Sequence, residues 1–456
     1  MAGLNTPTAL GTENIGKLLM QYAVPAIIAM TASSLYNMVD SIFIGHGVGP
    51  LAISGLALTF PLMNLAAAFG SLVGVGASTL VSVKLGQKDY DTAQRVLGNV
   101  LVLNILLGVA FTLVVMPFLD PILYFFGGSD DTVPYARDYM EIILIGNAVT
   151  HLYLGLNSVL RSSGHPRKAM YATVATVVIN TILDPLFIYG FGWGIRGAAI
   201  ATILAQIIAL LWQFKLFSNR NELLHFHRGI FRLKRKIVVD SLAIGMSPFL
   251  MNMAACFIVI LINQGLKRHG GDLAIGAFGI VNRLVYIVVM IVMGLNQGMQ
   301  PIAGYNYGAQ LYQRVTKVLK LTIVYATVVT TFGFVVGMAV PRLVVSIFTS
   351  DAELIDLSAR GLRIIVMFFP IIGFQMVTAN FFQSIGMAGK AIFLSLSRQL
   401  LILLPCLLIL PHFFGALGVW ISMPVSDLLA SIIAAVMLLL QFRKFHKAAV
   451  RQSLSV

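Results

Sequence analysis

The chain has 456 residues, 58% of them hydrophobic and only 11% charged, with a mean hydropathy of +0.89. Soluble domains carry about 25% charged residues, and water-soluble units of about 150 residues could not bury this much apolar surface. The formal net charge of +14 does not point to nucleic acid, because no basic cluster is interleaved with aromatics and no nucleic-acid module occurs.

Apolar stretches separated by polar, Gly/Pro and charged junctions predict an all-α integral membrane protein. Six spans cover residues 16–44, 51–85, 93–127, 134–160, 168–190 and 195–218. Six more cover 238–266, 272–304, 313–348, 355–383, 390–411 and 415–442. Several exceed the roughly 20 residues a span needs, which predicts tilt, kinks or extension beyond the bilayer. Residues 1–17 lack a charged, then apolar, then small-residue pattern, so no removable signal peptide is expected. Cys256 and Cys406 lie inside apolar segments without metal-ligand spacing and are expected to be free, buried thiols.

The 31 Lys and Arg residues set the orientation. The N-terminus, the even-to-odd loops and the C-terminal tail hold 23 of them, and the odd-to-even loops and nearby helix ends hold seven. Arg283 is left within span 8. Positive residues stay inside, so both termini are expected in the cytoplasm of a multi-pass plasma-membrane protein, with Asp130 and Asp131 facing outward.

The two halves resemble each other at a spacing near 222. Leu51-Ala52-Ile53 recurs as Leu273-Ala274-Ile275, Gly86 falls on Gly308, and Gly164 with Lys168 falls on Gly386 with Lys390. Gly194 and Gly197 match Gly415 and Gly418 after a one-residue slip, and Pro25 pairs with Pro248. An even number of spans per repeat gives both halves the same orientation, as in transporters built from two parallel bundles. The predicted organisation is therefore two pseudo-symmetric six-helix bundles: an N-lobe over 1–218, a cytoplasmic connector over 219–237 and a C-lobe over 238–456.

Three carboxylates sit well inside spans: Asp40, Asp184 and Asp427. A charge at that depth is expensive and is by default a functional-site hypothesis. Asp40 and Asp184 fall in the outer halves of spans 1 and 5, Asn180 shares a helical face with Asp184, and Thr202 lies in the outer half of span 6. Four oxygen-bearing side chains from three helices thus share a depth. Burial and a neighbouring carboxylate both favour a proton on such an acid, while carboxylate, amide and hydroxyl oxygens also suit a hard cation such as Na⁺. The competing account is a polar network that fastens the three helices without binding an ion. Pro185 removes a backbone donor after Asp184, which kinks the helix and leaves the Thr181 carbonyl without its helical partner. Pro25 permits a bend in span 1 that, if it follows occupancy at Asp40, connects binding to cavity shape.

The second half lacks this set, since Asp40, Asn180, Asp184 and Thr202 carry across to Ile262, Ile402, Cys406 and Met423. Asp427 and Arg283 are each expected to be paired structural charges. Any ion coupling is assigned to the first half.

The run from Tyr36 to Gly45 (YNMVDSIFIG) resembles a motif of the multidrug and toxic compound extrusion (MATE) transporters. So do Gly86-Gln87, the Arg161-Ser162-Ser163-Gly164 turn and the run from Asn180 to Pro185 (NTILDP). The resemblance covers essentially the whole chain and is nearest to the DinF-type branch. It implies an N-lobe cation site of Asp40, Asn180, Asp184 and Thr202, with Tyr36 and Tyr139 beside it and Pro25 as the hinge. It also implies export of cationic and amphipathic small molecules in exchange for H⁺ or Na⁺, with no cofactor beyond that ion, no metal beyond Na⁺ and no enzymatic activity. One chain already contains both lobes, so a monomer in the lipid bilayer is expected. The alternative is a lipid or lipid-linked oligosaccharide exporter, whose relatives often have fourteen spans and a cationic cavity. An intramembrane prenyl-transferring enzyme calls for repeated Asp-rich motifs that are missing here, and an ion channel rarely needs two bundles in one chain.

Overall fold

The computed structural model describes residues 7–454. The predicted N-lobe begins, and the C-lobe ends, outside the described residues, so both predicted cytoplasmic chain ends lie beyond them. Among the described residues eleven helices are long and apolar enough to cross a membrane, and a bent pair makes a twelfth. They are α1 (Ile15–Gly47), α2 (Pro50–Gly86), α3 (Tyr90–Phe125), α4 (Val133–Ile145 with Asn147–Ser162), α5 (Pro166–Gly190) and α6 (Gly194–Phe217). The second six are α7 (Arg235–Gly271), α8 (Leu273–Gly308), α9 (Tyr312–Ala339), α10 (Ala352–Ser384), α11 (Ala388–Phe414) and α12 (Ala416–Ala448).

Helix ends follow local chemistry. Pro50 and Pro166 open α2 and α5, where a missing N–H costs nothing. Asp89 and Asp351 cap α3 and α10 by accepting from the Thr92 and Leu354 amides at 3.2 and 2.8 Å. Such a cap satisfies one of the four N–H groups a helix start leaves open. α7 gives way to α8 at Gly271, whose φ of 71° suits a residue without Cβ.

Two predicted spans differ from the structure. Span 4 bends by 56° at Gly146, where an added Cβ would run into the Ile203 side chain, so the break sits against α6. Span 9 stops at Ala339 rather than 348: Pro341 opens a separate short helix, Pro341–Ser346, with Val340 out of helical geometry before it.

The helices form two compact units. Unit 1 is 1–12 with 28–249; unit 2 is 13–27 with 250–456. Each therefore takes the start of one helix from the other half of the sequence. In unit 1, a Cβ on Gly76 of α2 would fall on the Ser241 carbonyl of α7, and one on Gly245 would fall on the Leu72 carbonyl. In unit 2, Cβ atoms on Gly298 and Gly294 of α8 would meet the Ala23 and Ile27 backbone of α1 at 2.6 and 2.9 Å. Gly76 and Gly298 are one repeat apart, as are Ala23 and Gly245. The same glycine-lined crossing is thus built twice. Small residues that let backbones approach are the usual means of joining helices in lipid.

The connector is fastened to α3. Buried Asn99 donates to the Arg232 carbonyl at 3.1 Å, and its Oδ1 accepts from the Lys234 amide at 3.1 Å. Gln94 Nε2 donates to the His225 carbonyl at 2.5 Å, and Gly98 leaves room for the Ile230 backbone. Asn99→Ala strands these backbone groups at a cost of about 1–3 kcal/mol. Trypsin cleavage among Arg228, Arg232 and Lys234 in detergent-solubilised protein is expected to quicken by about tenfold. An unchanged rate would mean that the connector is held elsewhere.

Candidate functional site

α1 carries Tyr36 and Asp40 four residues apart, on one helical face. α5 carries Asn180 and Asp184 with the same spacing, α6 carries Thr202, and the first segment of α4 carries Tyr139. All of them belong to unit 1. Asp184 and Asn180 are 0% and 1% exposed, Asp40 5%.

These six side chains form one cluster. Asn180 Nδ2 donates to Asp184 Oδ1 at 3.1 Å. The Asp40 and Asp184 carboxyl groups lie within hydrogen-bonding reach of each other. The Thr202 hydroxyl donates to the Ala198 carbonyl at 3.1 Å, so the Tyr36 hydroxyl, 2.8 Å away, donates to Thr202. Tyr139, 1% exposed, is buried beside the same group. Tyr36 keeps its own oxygen lone pairs for a further partner. Ile44, Ile143, Ile188 and Ile195 belong to the same buried apolar cluster as Tyr139.

Local sequence explains how α5 presents its acid. Pro185 has no N–H to continue the ladder, and the helix widens into a π turn over Leu186–Gly190 directly after Asp184. Such turns often accompany functional side chains.

Three buried oxygens of the cluster have no hydrogen-bond partner: Asp40 Oδ1, Asp184 Oδ2 and Asn180 Oδ1. Among the described residues neither carboxylate has an ion pair. Two adjoining carboxylates in a dry interior are costly unless a positive species lies with them. The arrangement fits a proton shared between the acids, or a small cation held by carboxylate, amide and hydroxyl oxygens. Periodicity brings Asp40, Asn180, Asp184 and Thr202 to one depth, and the fold brings them into one cluster. Reading the residues without the resemblance missed the Tyr36–Thr202 hydrogen bond, although Tyr36 stands one turn before Asp40. Pro25 is buried in α1, two residues before the point where that helix passes from unit 2 to unit 1.

The remaining charges divide. Asp427, expected to be paired, accepts from Arg398 Nε at 2.7 Å. Asp427→Asn leaves a half-buried guanidinium without its charge partner, and a loss of about 2 kcal/mol is expected. Thermal unfolding in detergent reads this loss, and ion dependence of transport at low temperature should stay unchanged. Arg283, also expected to be paired, is instead exposed and without an ion pair among the described residues. Cys256 and Cys406 are free as expected, but half-buried rather than buried.

Among the described residues, up to twelve apolar spans, with a buried polar cluster within unit 1, describe a multi-pass membrane transporter. The family model described as MatE matches residues 25–186 and 244–408, and the chain belongs to the MATE family, one of small-molecule transporters and not of enzymes. It is 28% identical over 422 residues to the multidrug export protein MepA of Staphylococcus haemolyticus (strain JCSC1435), covering 92% of this chain and 93% of that one. Among solved structures it resembles an outward-facing multidrug resistance MATE transporter of the MOP superfamily, with a TM-score of 0.91 and 25% identity over 97% of this chain and 99% of the other. A MATE structure in a bent conformation matches with a TM-score of 0.92 and 25% identity over 98% and 100% of the two chains.

Proposed function

We propose that the protein is an antiporter that exports cationic and amphipathic compounds in exchange for H⁺ or Na⁺ by alternating access, with Asp40, Asn180, Asp184 and Thr202 as the coupling site. The observation that carries this reading is the Asp40–Asp184 pair, which with Asn180 holds three unbonded oxygens and, among the described residues, has no ion pair. A cation entering from one side neutralises the pair, and its release to the other side restores the repulsion. That difference in charge is what lets an ion gradient bias two conformations. Tyr36 orients Thr202 toward the pair, Tyr139 stands beside it, and Pro25 is the point at which α1 bends between states. The export of drugs is read from the relatives, which are described as multidrug exporters. The chain works as a monomer in the plasma membrane, with both termini in the cytoplasm, an N-lobe over 1–218, a connector over 219–237 and a C-lobe over 238–456.

The test is efflux of rhodamine 123 from proteoliposomes under an imposed H⁺ or Na⁺ gradient, each applied alone. Efflux driven by one gradient identifies the coupling ion. Dye retention under both, with a lipid-flipping assay giving signal, would move the chain to the lipid exporters.

A further inference from the structure

Exposed faces within unit 2 differ in chemistry. That of α9 is Val324, Val328, Phe332 and Val335, which suits acyl chains. α8 has one exposed stripe at helical spacing: Gly276, Gly279, Asn282, Arg283, Tyr286 and Ile287. Arg283 is the one charged residue from Leu273 to Gly308. It lies ten residues past Leu273, about 15 Å along the axis and so inside the membrane-spanning stretch of α8. An arginine at that depth does not face lipid: it faces water or the bundle interior, and this one is exposed.

We infer that the polar stripe of α8 is a water-accessible wall of the substrate path, and that Arg283 binds the carboxylate of aromatic zwitterionic substrates. This rests on the transporter reading above and, among its amphipathic substrates, singles out aromatic zwitterions over pure cations. A guanidinium takes a carboxylate through two parallel N–H···O bonds. Asn282 adds an amide beside it, and Tyr286, one turn on, offers an aromatic face to a flat substrate. The same charge repels a purely cationic analogue, so an ester of such a substrate binds more weakly.

The test is equilibrium binding to the purified full chain, read by fluorescence anisotropy. Rhodamine 110 carries a free carboxylate, and rhodamine 123 is its methyl ester. Wild type is expected to prefer rhodamine 110. Arg283→Gln is expected to weaken rhodamine 110 by about tenfold, leaving rhodamine 123 equal or tighter, with Arg283→Lys retaining part of the preference. Equal effects on both dyes, or none, overturn the proposal. Binding is measured without a gradient, so it stands or falls separately from ion coupling. Water access has its own readout. With Cys256 and Cys406 replaced by Ser, a membrane-impermeant maleimide is expected to label Arg283→Cys and not Val328→Cys. An unlabelled Arg283→Cys also overturns the proposal.

Discussion

Asp40→Asn and Asp184→Asn are each expected to bring gradient-driven efflux down to the level of protein-free liposomes while the fold is kept or strengthened. Asparagine preserves the shape of aspartate and replaces one acceptor oxygen with a permanent donor. The remaining carboxylate then has a neutral partner, and one negative charge is gone from a dry cluster. Removing that repulsion is expected to stabilise the protein by about 1 kcal/mol, a rise in Tm of roughly 1–2 °C. Loss of function with gain of stability is the signature of a site kept for its chemistry. A fastening network predicts the opposite, since its members hold helices together and their loss lowers Tm. The double variant is expected to be no worse than either single one, because the two acids hold one ion between them. Efflux and thermal unfolding on the same preparations decide the matter. Coupled efflux surviving in both single variants would make the carboxyl pair structural.

The fold was legible because bilayer physics leaves few options. Each predicted span falls on a helix, since an apolar run of that length must satisfy its own backbone in lipid. Misreadings came where the chain leaves the regular ladder. The Gly146 bend depends on a neighbour in α6 that no local pattern announces, whereas Pro341 was a visible stop inside the overlong ninth span. The depth of Asp40, Asp184, Asn180 and Thr202 followed from counting residues along helices of known direction. Their lateral meeting did not, because which faces of α1, α5 and α6 turn toward one another is decided by packing. Asp427 shows the same limit. The need for a partner was evident from burial, but its identity was not: which faces of α11 and α12 meet, and so bring Arg398 to Asp427, is decided by packing. Arg283 was misread for a related reason: a charge in a span was taken to require an ion pair, and exposure on a polar stripe is the other way to keep it hydrated.

The largest stability effect is expected from Gly245→Ala. A Cβ there would fall on the Leu72 carbonyl, a backbone atom of α2 that cannot rotate away as a side chain would. α2 and α7 must then separate along their crossing, where Gly76 already sits against Ser241. Overpacking of this kind costs about 3 kcal/mol, a fall in Tm of roughly 3–6 °C. Gly279→Ala is the matched control, because nothing lies within 4 Å of a Cβ at that helical position. It is expected to gain about 0.5–1 kcal/mol from helix propensity alone. The opposite signs of one chemical change separate close approach from intrinsic preference. Repetition adds a second requirement. Gly298 forms the equivalent crossing in unit 2 against Ala23, so Gly298→Ala is expected to destabilise as well, and the two losses should add because the sites share no partner. A Gly245→Ala protein with unchanged Tm would show that the α2–α7 crossing has room to relax. If both crossings hold as drawn, each unit depends on a helix start from the other half of the chain. The glycines at these crossings then do more to hold each unit together than any ion pair within it.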